Sequence, residues 1–175
     1  MQPNIVRNPD LAPEGRRKIE WVRGNMPVLA RIEEELRRTQ EFQGIRVAVS
    51  VHLEAKTAYL AEVFAAGGAT VSVTGSNPMS TKDDVVAALS AAGLHVYARH
   101  GATPEEFKEH QLTALEVEPH IVIDDGGDLV HRLHAERPEL RASCYGACEE
   151  TTAGVIRNSA REEAGTLEMP VIAVN

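Results

Sequence analysis

The sequence predicts an α/β fold: a doubly wound, mostly parallel sheet preceded by an N-terminal helical arm. Three observations carry this. From Gly44 onward, short runs rich in Val, Ile and Ala alternate with longer segments that open on capping or acidic residues. The run His120-Ile121-Val122-Ile123 shows no apolar–polar alternation, which suits a strand covered on both faces. That run closes on Asp124-Asp125-Gly126-Gly127-Asp128, where the glycines allow a tight turn at the strand's carboxyl end.

The arm occupies residues 1–43. Pro3, Pro9 and Pro13 mark residues 1–13 as an extended lead-in. A helix is expected from Glu14 through Ile19, Trp21 and Val22 to Gly24-Asn25, with Trp21 anchoring the arm on the core. Met26-Pro27 opens a second helix, Pro27 standing in the first turn that tolerates it. Val28, Leu29, Ile32 and Leu36 form its apolar stripe, and Arg31, Glu33 to Glu35, Arg37 and Arg38 its solvated face. The α/β domain fills 44–175. Strands are expected at 45–51, 69–74, 94–98, 120–124, 142–147 and 170–174. Helices are expected at 54–66, 82–92, 104–116, 127–136 and 151–164. Alternating units of this kind give right-handed crossovers and helices on both faces, a Rossmann-like architecture. No G-x-G-x-x-G occurs, so no dinucleotide site is visible.

Composition excludes several classes. A net charge of −8, with no run of Lys or Arg, argues against a nucleic-acid partner. No segment reads as a secretory signal or reaches membrane-spanning length, which fits a cytoplasmic protein. Cys144 and Cys148 read as free thiols, and as a metal pair they lack nearby His or Cys partners, so no metal site is expected.

In an open parallel sheet, ligands bind beyond the carboxyl ends of the strands, so the chemistry should collect there. His52 follows the first strand, with Glu54 and Lys56 just beyond. The second strand runs into Gly75-Ser76-Asn77-Pro78-Met79-Ser80-Thr81, richer in donors and acceptors than a turn requires. Asp124, Asp125 and Asp128 follow the fourth; a solvated acidic turn with Asp128 capping the next helix is the competing reading. Glu149-Glu150-Thr151-Thr152 follows the fifth. Four polar loops on one edge favour a small polar ligand such as a sugar or nucleoside.

These loops resemble, in order and spacing, motifs of the S-adenosylhomocysteine hydrolase family: His52-Leu53-Glu54-Ala55-Lys56-Thr57-Ala58, Gly75 to Asp84, Ile123-Asp124-Asp125-Gly126-Gly127-Asp128-Leu129, and Glu149-Glu150-Thr151-Thr152-Ala153-Gly154-Val155. Pro170-Val171-Ile172-Ala173-Val174-Asn175 is similar to the family's next block, and the wording around His52 to its thermophilic and archaeal form. The resemblance implies reversible cleavage of S-adenosyl-L-homocysteine to adenosine and homocysteine, with bound NAD oxidising the ribose 3′-hydroxyl. It implies His52 as an acid/base near the 5′ position, and Asp125 and Glu150 as carboxylates on the ribose. Asn175 would lie beside that sugar. Glu54, Lys56, Thr57, Asn77 and Ser80 would complete the substrate site, and Thr151 and Thr152 would reach the cofactor.

Three departures qualify the match. The motifs for the lysine and aspartate of the ribose site and for an NAD-binding domain do not occur, so the chain reads as the substrate-binding part of a longer homo-oligomeric enzyme. It is expected to be inactive by itself and to self-associate through exposed apolar surface; a free-standing nucleoside-binding module is the alternative. Ala153 replaces a third threonine. Glu54 and Lys56 stand where many members have Thr and Glu. Lys56 at the purine six position would favour S-inosylhomocysteine; Glu54 there would favour the adenosyl compound, as the resemblance does.

Overall fold

A computed structural model describes residues 1–174. Its sheet has six strands, all parallel, in the order β3-β2-β1-β4-β5-β6. The strands are β1 (Arg46–Val51), β2 (Thr70–Gly75), β3 (His95–Val96), β4 (Ile121–Asp124), β5 (Gly146–Glu149) and β6 (Val171–Ala173). The helices are α1 (Ala12–Asn25), α2 (Pro27–Thr39), α3 (Ala55–Ala66), α4 (Asp83–Ala91), α5 (Pro104–Ala114), α6 (Asp128–Ala135) and α7 (Thr152–Glu163). This is the doubly wound order, and the direction of winding reverses between β1 and β4.

Register sorts the core into two layers. Val47 and Val49 of β1 align with Val71 and Val73 of β2, and all four pack with Ile19, Tyr59, Val85 and Leu89 from the helices before and after β1 and β2. Ala48 aligns with Val122 and faces the other way, against Leu129, Val130 and Leu133 of α6. The first layer does not extend across the whole sheet. Ile123, Cys148 and Ile172 are side by side in register on its face, and Ile172 is 62% exposed.

Several expectations from sequence are corrected. Trp21 is no anchor; it is 70% exposed. The buried face of α1 is set by Ile19 and Val22. Trp21 lies about 200° round the helix from Ile19 at 3.6 residues per turn. The stripe on α2 is also divided. Leu36 is buried and Leu29 packs partly against the core, while Val28 and Ile32 stay exposed. Glu33, assigned to the solvated face, is buried. It accepts hydrogen bonds from the Tyr59 hydroxyl at 2.8 Å and from Arg37 at 2.8 Å, which hold its carboxyl below the usual range against the cost of burial. With Arg23 and Glu62 it binds the arm to α3.

β5 begins at Gly146, not near 142, because Pro138–Ser143 forms a 3-10 helix started by its proline. The fifth helix likewise ends in a 3-10 turn, Leu115–Val117. The lead-in contains a 3-10 turn at Pro9–Leu11, and Ile5 bridges to Tyr97 beside β3. No described helix is long and apolar enough to cross a membrane.

Candidate active site

The strand ends at the reversal point bring three loops together. The turn after β1 carries His52, whose carbonyl accepts from the Thr57 hydroxyl at 2.7 Å, locking the turn onto the start of α3. Ser80, in the loop after β2, meets His52 Nδ1 at 2.5 Å. The Ser80 hydroxyl also donates to the Asn77 carbonyl at 3.0 Å. In the tautomer compatible with that bond, Nδ1–H of His52 donates to Ser80 and Nε2 carries the lone pair. Nε2 faces Asp125 Oδ2 at 3.7 Å. The same carboxylate oxygen accepts from the Ser76 hydroxyl at 2.7 Å. Asp125 is buried and His52 half open, so the pair has a fixed acid below and an accessible imidazole above.

Beneath them are two acids that touch no open space. Asp124 accepts from the Val130 N–H at 3.0 Å and the Asp125 N–H at 3.1 Å. Complete burial, with a further contribution from neighbouring Glu149, pushes its pKa up to about 7. Glu149, also fully buried, accepts from Gly126 N–H at 2.9 Å and from both the N–H and the hydroxyl of Thr151 at 2.8 Å. These acids shape the loops that present their neighbours, Asp125 and Glu150.

A cavity of about 970 Å³ opens above. His52, Ser80, Lys82 and Glu150 are part of its polar lining. Glu54, Lys56 and Thr57 follow at the start of α3. Its apolar lining is Met26, Leu29 and Ile32 from α2, with Leu60, Ile123 and Val174. Polar hydrogen-bonding groups and apolar side chains round one cavity suit a molecule with a sugar and a flat hydrophobic ring.

The structure thus gathers His52, Glu54, Lys56, Thr57, Ser80 and Glu150 round one cavity, with Asp125 beside it, 3.7 Å from His52. Asn77 contributes differently: its side-chain oxygen accepts from Met79 N–H at 2.8 Å and shapes the loop. Thr151 caps α7, accepting from Gly154 N–H at 3.0 Å. Thr152 begins that helix, and Asn175 lies outside the described residues. Two assignments from sequence are corrected. Asp124 is a buried scaffold acid, and Asp128 turns away to Arg157 at 2.8 Å and Gln111 at 3.2 Å. Nor is Asp128 the helix cap; that position is Gly127, at a positive φ of 72°.

Sequence reasoning missed Ser76, Glu149 and the α2 wall. Ser76 and Glu149 stood inside recognised motifs. The apolar stripe on α2 is visible in the sequence, but nothing in it marks Leu29 and Ile32 as lining a cavity.

The family profile of S-adenosyl-L-homocysteine hydrolase matches residues 3–140. The chain belongs to the S-adenosyl-L-homocysteine hydrolase family. It is 51% identical over 97% of its length to an S-inosyl-L-homocysteine hydrolase from Methanopyrus kandleri, covering 40% of that protein. It is also 51% identical, over the same share, to an adenosylhomocysteinase from Pyrococcus abyssi, again covering 40%. An adenosylhomocysteinase from Thermococcus kodakarensis matches at 49% over 97% of the chain and 40% of its own length. The chain therefore spans about 40% of the length of the curated relatives it matches. These archaeal sources agree with the form of family motif found around His52.

Proposed function

We propose that this chain holds the nucleoside part of S-adenosyl-L-homocysteine for its reversible hydrolysis to adenosine and L-homocysteine. The observation that carries the reading is the set Ser80–His52–Asp125–Ser76, hydrogen-bonded within each Ser pair and with His52 Nε2 3.7 Å from Asp125, where His52 and Ser80 line a cavity that also has apolar lining. The purine fits against the apolar lining from α2. Ribose hydroxyls donate to Asp125 and Glu150, since ionised carboxylates only accept. His52, held by Ser80 with Nε2 free, takes or returns a proton near the 5′ carbon where the thioether breaks. Asp125 stabilises the imidazolium that results.

Members of this family generally depend on NAD. The described residues do not fit that cofactor's pyrophosphate. The turn after β1 is His52-Leu53-Glu54, without a glycine, and Glu54 sets a carboxylate at the N-terminus of α3 where phosphates would need N–H groups. Thr151 already uses its hydroxyl on Glu149 and Gly154.

A turnover assay tests this function and separates it from a binding module without catalysis. The chain with substrate and NAD should release no homocysteine. Addition of the NAD-binding part of an archaeal relative should restore release. In that mixture Asp125→Asn and Glu150→Gln should each lower the rate about 100-fold or more. Release by the chain alone, or variants as fast as the parent, would contradict the assignment.

A further inference from the structure

We infer that the Glu54–Lys56 pair makes this site accept both six-amino and six-oxo purines, adenosyl and inosyl thioethers alike; the inference rests on the nucleoside reading of the cavity. Glu54 is the N-cap residue of α3, in extended backbone, yet its side chain makes no capping bond. Its carboxylate meets Lys56 Nζ at 3.2 Å, and the two side chains are 41% and 66% exposed. Neither head group has another hydrogen bond or ion pair among the described residues. Both line the cavity. Asp125 is different: it is buried, accepts from Ser76 and lies 3.7 Å from His52.

The chemistry of the purine edge makes that freedom matter. Adenine offers a donor at the six-amino group and an acceptor at ring N1. Hypoxanthine offers the reverse, an acceptor at O6 and a donor at N1. A carboxylate only accepts and an ammonium only donates. Glu54 on the amino group with Lys56 on N1 satisfies adenine. Lys56 on O6 with Glu54 on N1–H satisfies hypoxanthine. The two heads need only exchange places on adjacent atoms, and an exposed pair of this kind resists exchange by about 0–1 kcal/mol. Strong discrimination requires donors and acceptors fixed so that the wrong base leaves one unpaired. This pair is not fixed. Relatives at the same 51% identity that are named for the inosyl and for the adenosyl substrate are consistent with a base end that varies easily.

Calorimetric titration of the chain with adenosine and with inosine tests the inference. The two dissociation constants should lie within about tenfold of each other, the equivalent of 1.4 kcal/mol. Lys56→Met should weaken both by a similar factor, about three- to tenfold, as each loses one hydrogen bond. The exchange variant Glu54→Lys with Lys56→Glu should keep the ratio within the same tenfold range. A wild-type preference above tenfold, an unchanged affinity in Lys56→Met, or an exchange variant that inverts a preference would overturn the inference and leave the nucleoside reading intact. Binding of neither nucleoside would bring down that reading, and this inference with it.

Discussion

Glu149 and Gly126, 23 residues apart in sequence, are joined by a 2.9 Å hydrogen bond from the Gly126 N–H to a carboxylate with no solvent exposure. The same oxygen accepts from Thr151, so one atom closes the loops after β4 and β5 over each other. Asp125 and Glu150, each next in sequence to a buried acid, owe their position to this junction. The junction in turn depends on Gly154, where a Cβ would stand 2.1 Å from the Glu149 carboxyl carbon.

Gly154→Ala should therefore destabilise the fold by about 1–3 kcal/mol through overpacking. Glu149→Ala should cost at least as much, because the buried Gly126 and Thr151 donors lose their acceptor. In a chain of this size each kcal/mol lowers the melting temperature by about 2–4 °C. Thermal melts of the two variants check both values, and melting temperatures equal to the parent's would refute the junction.

The burial of Asp124 predicts a pH dependence. Its folded pKa is raised from 3.8 to about 7, so between those values the folded state binds more protons than the unfolded. Stability from this group is full below about pH 4, declines as the pH rises, and is lost above about pH 7. Asp124→Asn, which cannot ionise, should flatten the decline of melting temperature between pH 5 and 7. An equal slope in the variant would assign the dependence elsewhere.

The alternation of strands and helices was legible because buried parallel strands leave unbroken apolar runs and because caps such as Thr103 with Glu106 mark helix starts. His52, Ser80, Asp125 and Glu150 were legible through their motifs. What was not legible depends on direction round an element. A period of 3.6 shows that α2 has an apolar stripe, but not that Leu29 and Leu36 face the core while Val28 and Ile32 stay open. Likewise the adjacent pairs Asp124-Asp125 and Glu149-Glu150 read as acids together. Only the direction in which each side chain leaves the strand end decides which one is bound into the scaffold and which turns towards His52 or the cavity.

Trp21 provides a spectroscopic check on the arm. As the sole tryptophan, and 70% exposed, it should show solvent-like fluorescence readily quenched by acrylamide in the folded chain. Trp21→Ser should change stability by no more than about 0.5 kcal/mol, the range of surface substitutions. Protected fluorescence, or a large loss of stability, would restore the anchoring role.

The most direct measurement is a calorimetric titration of the chain with adenosine, comparing the parent with Asp125→Asn. The account predicts saturable one-to-one binding, weakened about tenfold or more in the variant by loss of a charge-assisted bond to ribose. No binding by the parent, or equal affinity in the variant, would contradict it.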